Sequence, residues 1–102
     1  MDIEQLRSFL AVADELHFGR AAERLHVAQP PLSRTIKRLE RELGTRLFDR
    51  NTRSVRLTSS GQALMDPAQE VLDALRRAET AVRSADHGGG GASPNLRQGD
   101  SP

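Results

Sequence analysis

Cysteine, tryptophan and tyrosine are missing from this 102-residue chain, and three Phe make up its whole aromatic content. Without cysteine there is no disulfide and no thiolate metal site, which fits a reducing cytoplasm. The core has to be assembled mainly from Leu, Val, Ile and Ala. Long hydrophobic runs are missing too: nothing approaches the roughly 20 apolar residues that span a bilayer. The opening Met1-Asp2-Ile3-Glu4 is acidic where a secretory leader would be basic. With 28% charged residues, a soluble cytoplasmic chain without a membrane partner is expected. Catalytic patterns are lacking as well. Ser33, Ser59, Ser60, Asp66, His17, His26 and His87 have no nucleophile elbow, phosphate loop or metal-spaced partner around them. No catalytic residue, metal or cofactor is expected.

What is present is a charge division that the net +1 conceals. From Arg20 to Arg56, ten basic residues face four acids, a local excess of +6. From Thr58 to His87, three Arg face five acids, a local −2. A basic block of that kind is the electrostatic footprint of a polyanion binder, although a solvated charged face would look the same.

Hydrophobic spacing supplies the architecture. Ile3, Leu6, Phe9, Leu10 and Ala13 predict a first helix reaching about Leu16. Ala21, Ala22 and Leu25 predict a short second helix from about Arg20 to His26. Pro30 and Pro31 suit the first turn of a third helix, whose stripe is Leu32, Ile36, Leu39 and Leu43 and whose stop is Gly44. Two extended runs, 46–48 and 55–57, enclose a polar turn and read as a β-hairpin. Thr58 is placed to cap a long helix from about Ser59 to Ala85, with a local kink expected at Pro67. The resulting fold class is mostly α: a winged helix-turn-helix of three helices and a hairpin wing, followed by a long linker helix. Three segments are expected: the winged domain at 1–58, the linker and dimerisation helix at 59–87, and a disordered Gly/Ser/Pro-rich tail at 88–102.

In such a fold the third helix enters the major groove and the wing reaches the flanking minor groove or backbone. Residues near the start of the helix enter first, so Gln29, Pro30, Pro31, Ser33, Arg34 and Lys37 form the main expected contact set. Arg34 suits a bidentate contact to guanine and Gln29 one to adenine, while the prolines suit a thymine methyl. Arg38 lies farther along and suits phosphate. On the wing, Arg50, Asn51 and Arg53 are candidates, because an arginine at a hairpin tip fits a narrow, electronegative minor groove. Along the long helix, Leu64, Ala68, Val71, Leu75, Ala78 and Val82 alternate four and three apart, a heptad seam that suits a homodimer. The competing reading is a protein-interaction module dimerising through that seam, with the basic helix incidental.

The run Leu6-Arg7-Ser8-Phe9-Leu10-Ala11-Val12-Ala13, then Phe18-Gly19-Arg20-Ala21-Ala22-Glu23-Arg24-Leu25, resembles the LysR-type transcriptional regulators. So do Gln29-Pro30-Pro31-Leu32-Ser33-Arg34, Leu39-Glu40, Glu42-Leu43-Gly44, Leu47-Phe48-Asp49-Arg50 and Leu57-Thr58-Ser59-Ser60-Gly61. The likeness covers about residues 1 to 87. It implies a cytoplasmic, nucleoid-associated regulator bound to promoter DNA as a homodimer, or as a tetramer in full-length form. Two positions depart from the family's habit: Gly19 stands where Ser or Thr is frequent, and Ala28 where Ser is. Each removes a hydroxyl that could cap a helix or bind phosphate. Family members continue into a two-lobed effector-binding domain, whereas this sequence runs into its tail, so no small-molecule inducer is expected to be readable from it.

Overall fold

The computed structural model describes residues 1–51 and 53–88. Its elements are α1 (Ile3–Glu15), α2 (Phe18–Leu25), α3 (Gln29–Leu43), β1 (Phe48–Arg50), β2 (Val55–Leu57) and α4 (Ser59–Gly88). The two strands form one antiparallel hairpin in which Phe48 pairs with Leu57 and Arg50 with Val55. This is the winged helix-turn-helix followed by a long helix.

Local chemistry sets each boundary. Asp2 caps α1 by accepting from the Gln5 amide at 2.8 Å, and the Gln5 side chain accepts from the Asp2 amide at 2.9 Å. This reciprocal box satisfies two of the orphan donors at the helix start. Leu16 and His26 end α1 and α2 in the left-handed region, at φ 50° and 58°. Gly44 ends α3 at φ 73°, where the lack of a Cβ removes the penalty. Thr58 accepts from the Gly61 amide at 3.0 Å and donates to the Arg46 carbonyl at 2.7 Å. It thereby caps α4 and ties it to the segment before the wing.

Two expected boundaries move. Helix α2 begins at Phe18, because the imidazole Nδ1 of His17 accepts from the Arg20 amide at 3.0 Å and starts the helix early. Strand β1 is Phe48–Arg50 instead of 46–48, since the residues before it serve α3 and α4 through hydrogen bonds of their own.

The core joins Phe9 and Val12 of α1, Ala21 and Ala22 of α2, Ile36 and Leu39 of α3, and Leu47 and Phe48. All three aromatics meet there: Phe48 lies 5.5 Å from Phe9 and 6.1 Å, edge-on, from Phe18. Helix α4 contributes as well. Ala68 and Leu72 are buried, and Leu64 and Met65 pack half-buried against the same cluster. The first compact unit therefore runs Met1–Leu72, past the boundary expected at residue 58. Gly61 marks a close approach: a Cβ there would stand 2.3 Å from the Leu47 carbonyl oxygen and 2.7 Å from Leu57. The second unit begins at Asp73. Its helical part is exposed up to Asp86 except for half-buried Asp73 and Leu75, and Arg76 pairs with Asp73 one turn back. Of the expected tail at 88–102, Gly88 instead closes α4, which runs past the end expected near Ala85; residues 89–102 and Thr52 lie outside the described residues.

Candidate nucleic-acid interface

Helix α3 has two faces of opposite character. Leu32, Ile36 and Leu39 are buried, while Gln29, Pro30, Pro31, Arg34, Lys37, Arg38 and Arg41 are exposed and Ser33 is half-buried. The prolines occupy the first turn, where their missing N–H groups cost nothing. Ala28 makes no side-chain cap there, and because Pro30 and Pro31 carry no N–H few amide donors at this end need one. Arg34 and Lys37 engage no acid among the described residues, which leaves both charges outward. Arg38 stands near Glu42 and helps hold that carboxylate below its ordinary pKa, after the larger effects of the N-terminal ammonium and Gln5.

The start of α3 and the wing border a common cleft of about 530 Å³. Gln29 and Ser33 line it from the helix, His17 and Gly19 from the start of α2, and Asn51, Arg53 and Ser54 from the wing. The fold thus brings five of the expected residues, Gln29, Ser33, Arg50, Asn51 and Arg53, to one opening. Asn51 is partly committed, since its side-chain oxygen accepts from the Arg53 and Ser54 amides at 2.8 and 2.9 Å. That arrangement fixes the turn and presents Arg53, which is exposed. Lys37 and Arg41 border a second groove of about 710 Å³ with Gly44, Thr45 and Arg46.

Arg50 departs from expectation. Its guanidinium is turned inward, 23% exposed, and donates to Glu40 Oε1 at 3.0 Å while lying 5.1 Å above the Phe18 ring. A cation held by a carboxylate and a ring face is less free to turn toward a phosphate. Glu40 itself is a residue the spacing did not single out. It is buried, and its Oε2 accepts from the Leu47 and Phe48 amides at 2.8 and 3.2 Å. One signal was available: Glu40 follows Ile36 by four residues, so it flanks the apolar stripe. The terminal member of that stripe, Leu43, is 38% exposed.

His17 caps α2, in the place where Gly19 supplies no hydroxyl. A Cβ at Gly19 would meet the His17 ring at 3.0 Å, so glycine at 19 leaves room for the histidine cap.

The expected dimer seam is divided. Ala68 is covered by the chain's own core at 1% exposure, and Leu64 packs on the same core. Val71 and Val82 are 43% and 70% exposed, Ala78 is exposed, and Leu75 is half-buried. Among the described residues no helix is long and apolar enough to cross a membrane, and no cluster of His, Asp and Glu could hold a metal ion.

Comparison with known proteins agrees with this geometry. Residues 3–62 match the family model described as bacterial regulatory helix-turn-helix protein, lysR family. The transcriptional regulator TfdT of Cupriavidus pinatubonensis is 43% identical over 91 residues, covering 89% of this chain and 40% of that protein. The regulator XapR of Escherichia coli K12 is 59% identical over 71 residues, 70% of this chain and 24% of that protein. The chain thus spans less than half the length of these relatives. Among solved structures, the CbnR DNA-binding domain in complex with DNA superposes with a TM-score of 0.79 at 38% identity. That match covers 84% of this chain and 99% of the other.

Proposed function

The chain belongs to the bacterial regulatory helix-turn-helix proteins of the lysR family, and from that premise we propose that it binds double-stranded promoter DNA sequence-specifically to regulate transcription. The observation that carries this reading is the outward face of α3, where Arg34 and Lys37 stand exposed without an acid to neutralise them among the described residues. Helix α3 enters the major groove with Gln29, Pro30, Pro31, Ser33, Arg34 and Lys37 toward the bases, and Arg38 toward phosphate. Arg53, with Asn51 shaping its turn, reaches the flanking minor groove or backbone. Arg50 leaves the contact set, because Glu40 and Phe18 already hold it.

Two chains pair through the part of the α4 seam that stays uncovered: Val71, Leu75, Ala78 and Val82. Dimerisation then sets the spacing of two half-sites, so the exposed apolar face and the basic helix serve one task. The protein acts in the cytoplasm at the nucleoid and catalyses no reaction.

Competitive binding to a duplex selected from a randomised pool, against a scrambled duplex, tests the function. The wild-type chain is expected to prefer the selected duplex and Arg34→Ala to lose that preference. Equal binding of both duplexes by the wild type would refute the function, and full discrimination by Arg34→Ala would refute the assigned recognition helix.

A further inference from the structure

Arg50 and Glu40 carry opposite charges inside a strongly basic segment, yet Glu40 is buried and Arg50 only 23% exposed. The carboxylate of Glu40, on α3, is engaged at both oxygens. Oε2 takes the amides of Leu47 and Phe48 where the chain enters the wing, and Oε1 takes Arg50 at the end of β1. Arg46 adds a longer ion pair, 3.7 Å from Oε2. The Arg50 guanidinium rests on Phe18, the first residue of α2, and its Nε is buried without a hydrogen-bond partner. A short chain of contacts therefore runs from α3 through β1 to α2, three of the elements that border the cleft.

Such an arrangement is costly unless it fixes something, since a buried charge pair repays its desolvation only with good geometry and further hydrogen bonds. Here the further bonds are the two amides of the wing. From this geometry we infer that Glu40 and Arg50 are positioning residues that hold the wing at a set distance and angle from the recognition helix. Arg53 then meets the flank of the same site that Arg34 reads. Arg50 neutralises no phosphate, and removing Glu40 would convert it into a phosphate-binding cation loose in the cleft. The inference rests on the DNA-binding reading above.

Salt dependence separates positioning from contact, because log K against log salt changes its slope by about 0.9 for each phosphate neutralised. The test compares wild type, Arg53→Ala, Arg50→Met and Glu40→Gln on the selected duplex, with hydroxyl-radical footprints alongside the salt series. Arg50→Met keeps an apolar cover on Phe18 while removing the charge. Its slope is expected to equal that of Arg53→Ala, with protection retained at the centre of the site, lost at the flanks, and affinity down about tenfold, the weight of one groove contact. Glu40→Gln is expected to lose the same flank protection while its slope is steeper than that of Arg53→Ala by about 0.9 as Arg50 is released. A slope in Arg50→Met that falls by about 0.9 below that of Arg53→Ala would make Arg50 a phosphate contact and overturn the inference. Flank protection unchanged in both Arg50→Met and Glu40→Gln would overturn it equally, since a role confined to stability weakens the footprint uniformly. Failure of the wild type itself to prefer the selected duplex would remove the function, and with it this inference, a result distinct from either of the others.

Discussion

The stretch from Phe18 to Leu57 and the stretch from Val71 onward treat their side chains in opposite ways. In the first, apolar groups are mostly covered and one carboxylate and one guanidinium are folded inward, so the charges left outside are chiefly cations. In the second, Val71 and Val82 stand exposed on a helix with an acidic balance. The first region is covered within its own unit, by α1 and the start of α4, and leaves cations outside. The other leaves apolar side chains uncovered by the described residues of its own chain. Under the proposed function the first region reads DNA and the second pairs two chains.

The sharpest break of that comparison is in the core. Phe9→Ala is expected to cost about 3–5 kcal/mol of stability in denaturant unfolding, because Phe9 is fully buried against Phe48. Val82→Ala should leave the dilute monomer within about 0.5 kcal/mol of wild type. A comparable loss at both positions would erase the distinction between the regions. Next comes Gly61→Ala, expected to cost about 1–3 kcal/mol because its methyl group meets the Leu47 carbonyl oxygen and Leu57. Thermal unfolding at an unchanged midpoint would show that α4 can shift away without penalty.

On the surface the contrast becomes one of function. Arg34→Ala should cost about 1–3 kcal/mol of discrimination between selected and scrambled duplexes, the worth of one bidentate base contact. Arg76→Ala, on the acidic helix, should leave discrimination intact. Val71→Asp should shift the chain to monomer in sedimentation while its unfolding stays near that of wild type, because Val71 is exposed within its own chain.

The smallest effect concerns acid. The N-terminal ammonium of Met1, 2.8 Å from Glu42, holds that carboxyl below its usual range, with Gln5 and Arg38 assisting. A lowered folded-state pKa means that the stabilisation is present above the ordinary carboxylate value and is lost as pH falls through the lowered one. Glu42→Gln should therefore narrow the stability difference between neutral pH and strong acid slightly, as read from unfolding curves across that range. An identical pH dependence in both proteins would show that the exposed pair contributes nothing.

Most of this architecture was legible in the sequence because periodicity and punctuation agree there. The apolar stripes, the two prolines opening α3, Gly44 closing it and Thr58 before α4 each point to one local conformation. Less legible were features decided by tertiary partners. His17 starts α2 because its ring reaches the Arg20 amide, a role that spacing reserves for hydroxyls and carboxylates. Glu40 reads as one more surface acid until Leu47 and Phe48 are seen to need an acceptor. Arg50 looks like any wing arginine, and only the ring of Phe18 and the carboxylate of Glu40 decide its direction. The heptad pattern in α4 was visible, but not that its first members serve the chain's own core while later ones do not.

The most direct test of the central claim is a base-resolved footprint of the wild-type chain on its selected duplex. Two protected major-groove segments are expected, spaced by one or more helical turns of about 10 base pairs. Minor-groove protection should lie beside each and disappear in Arg53→Ala. A single protected segment, or protection without sequence preference, would contradict a dimer that reads DNA with α3 and its wing.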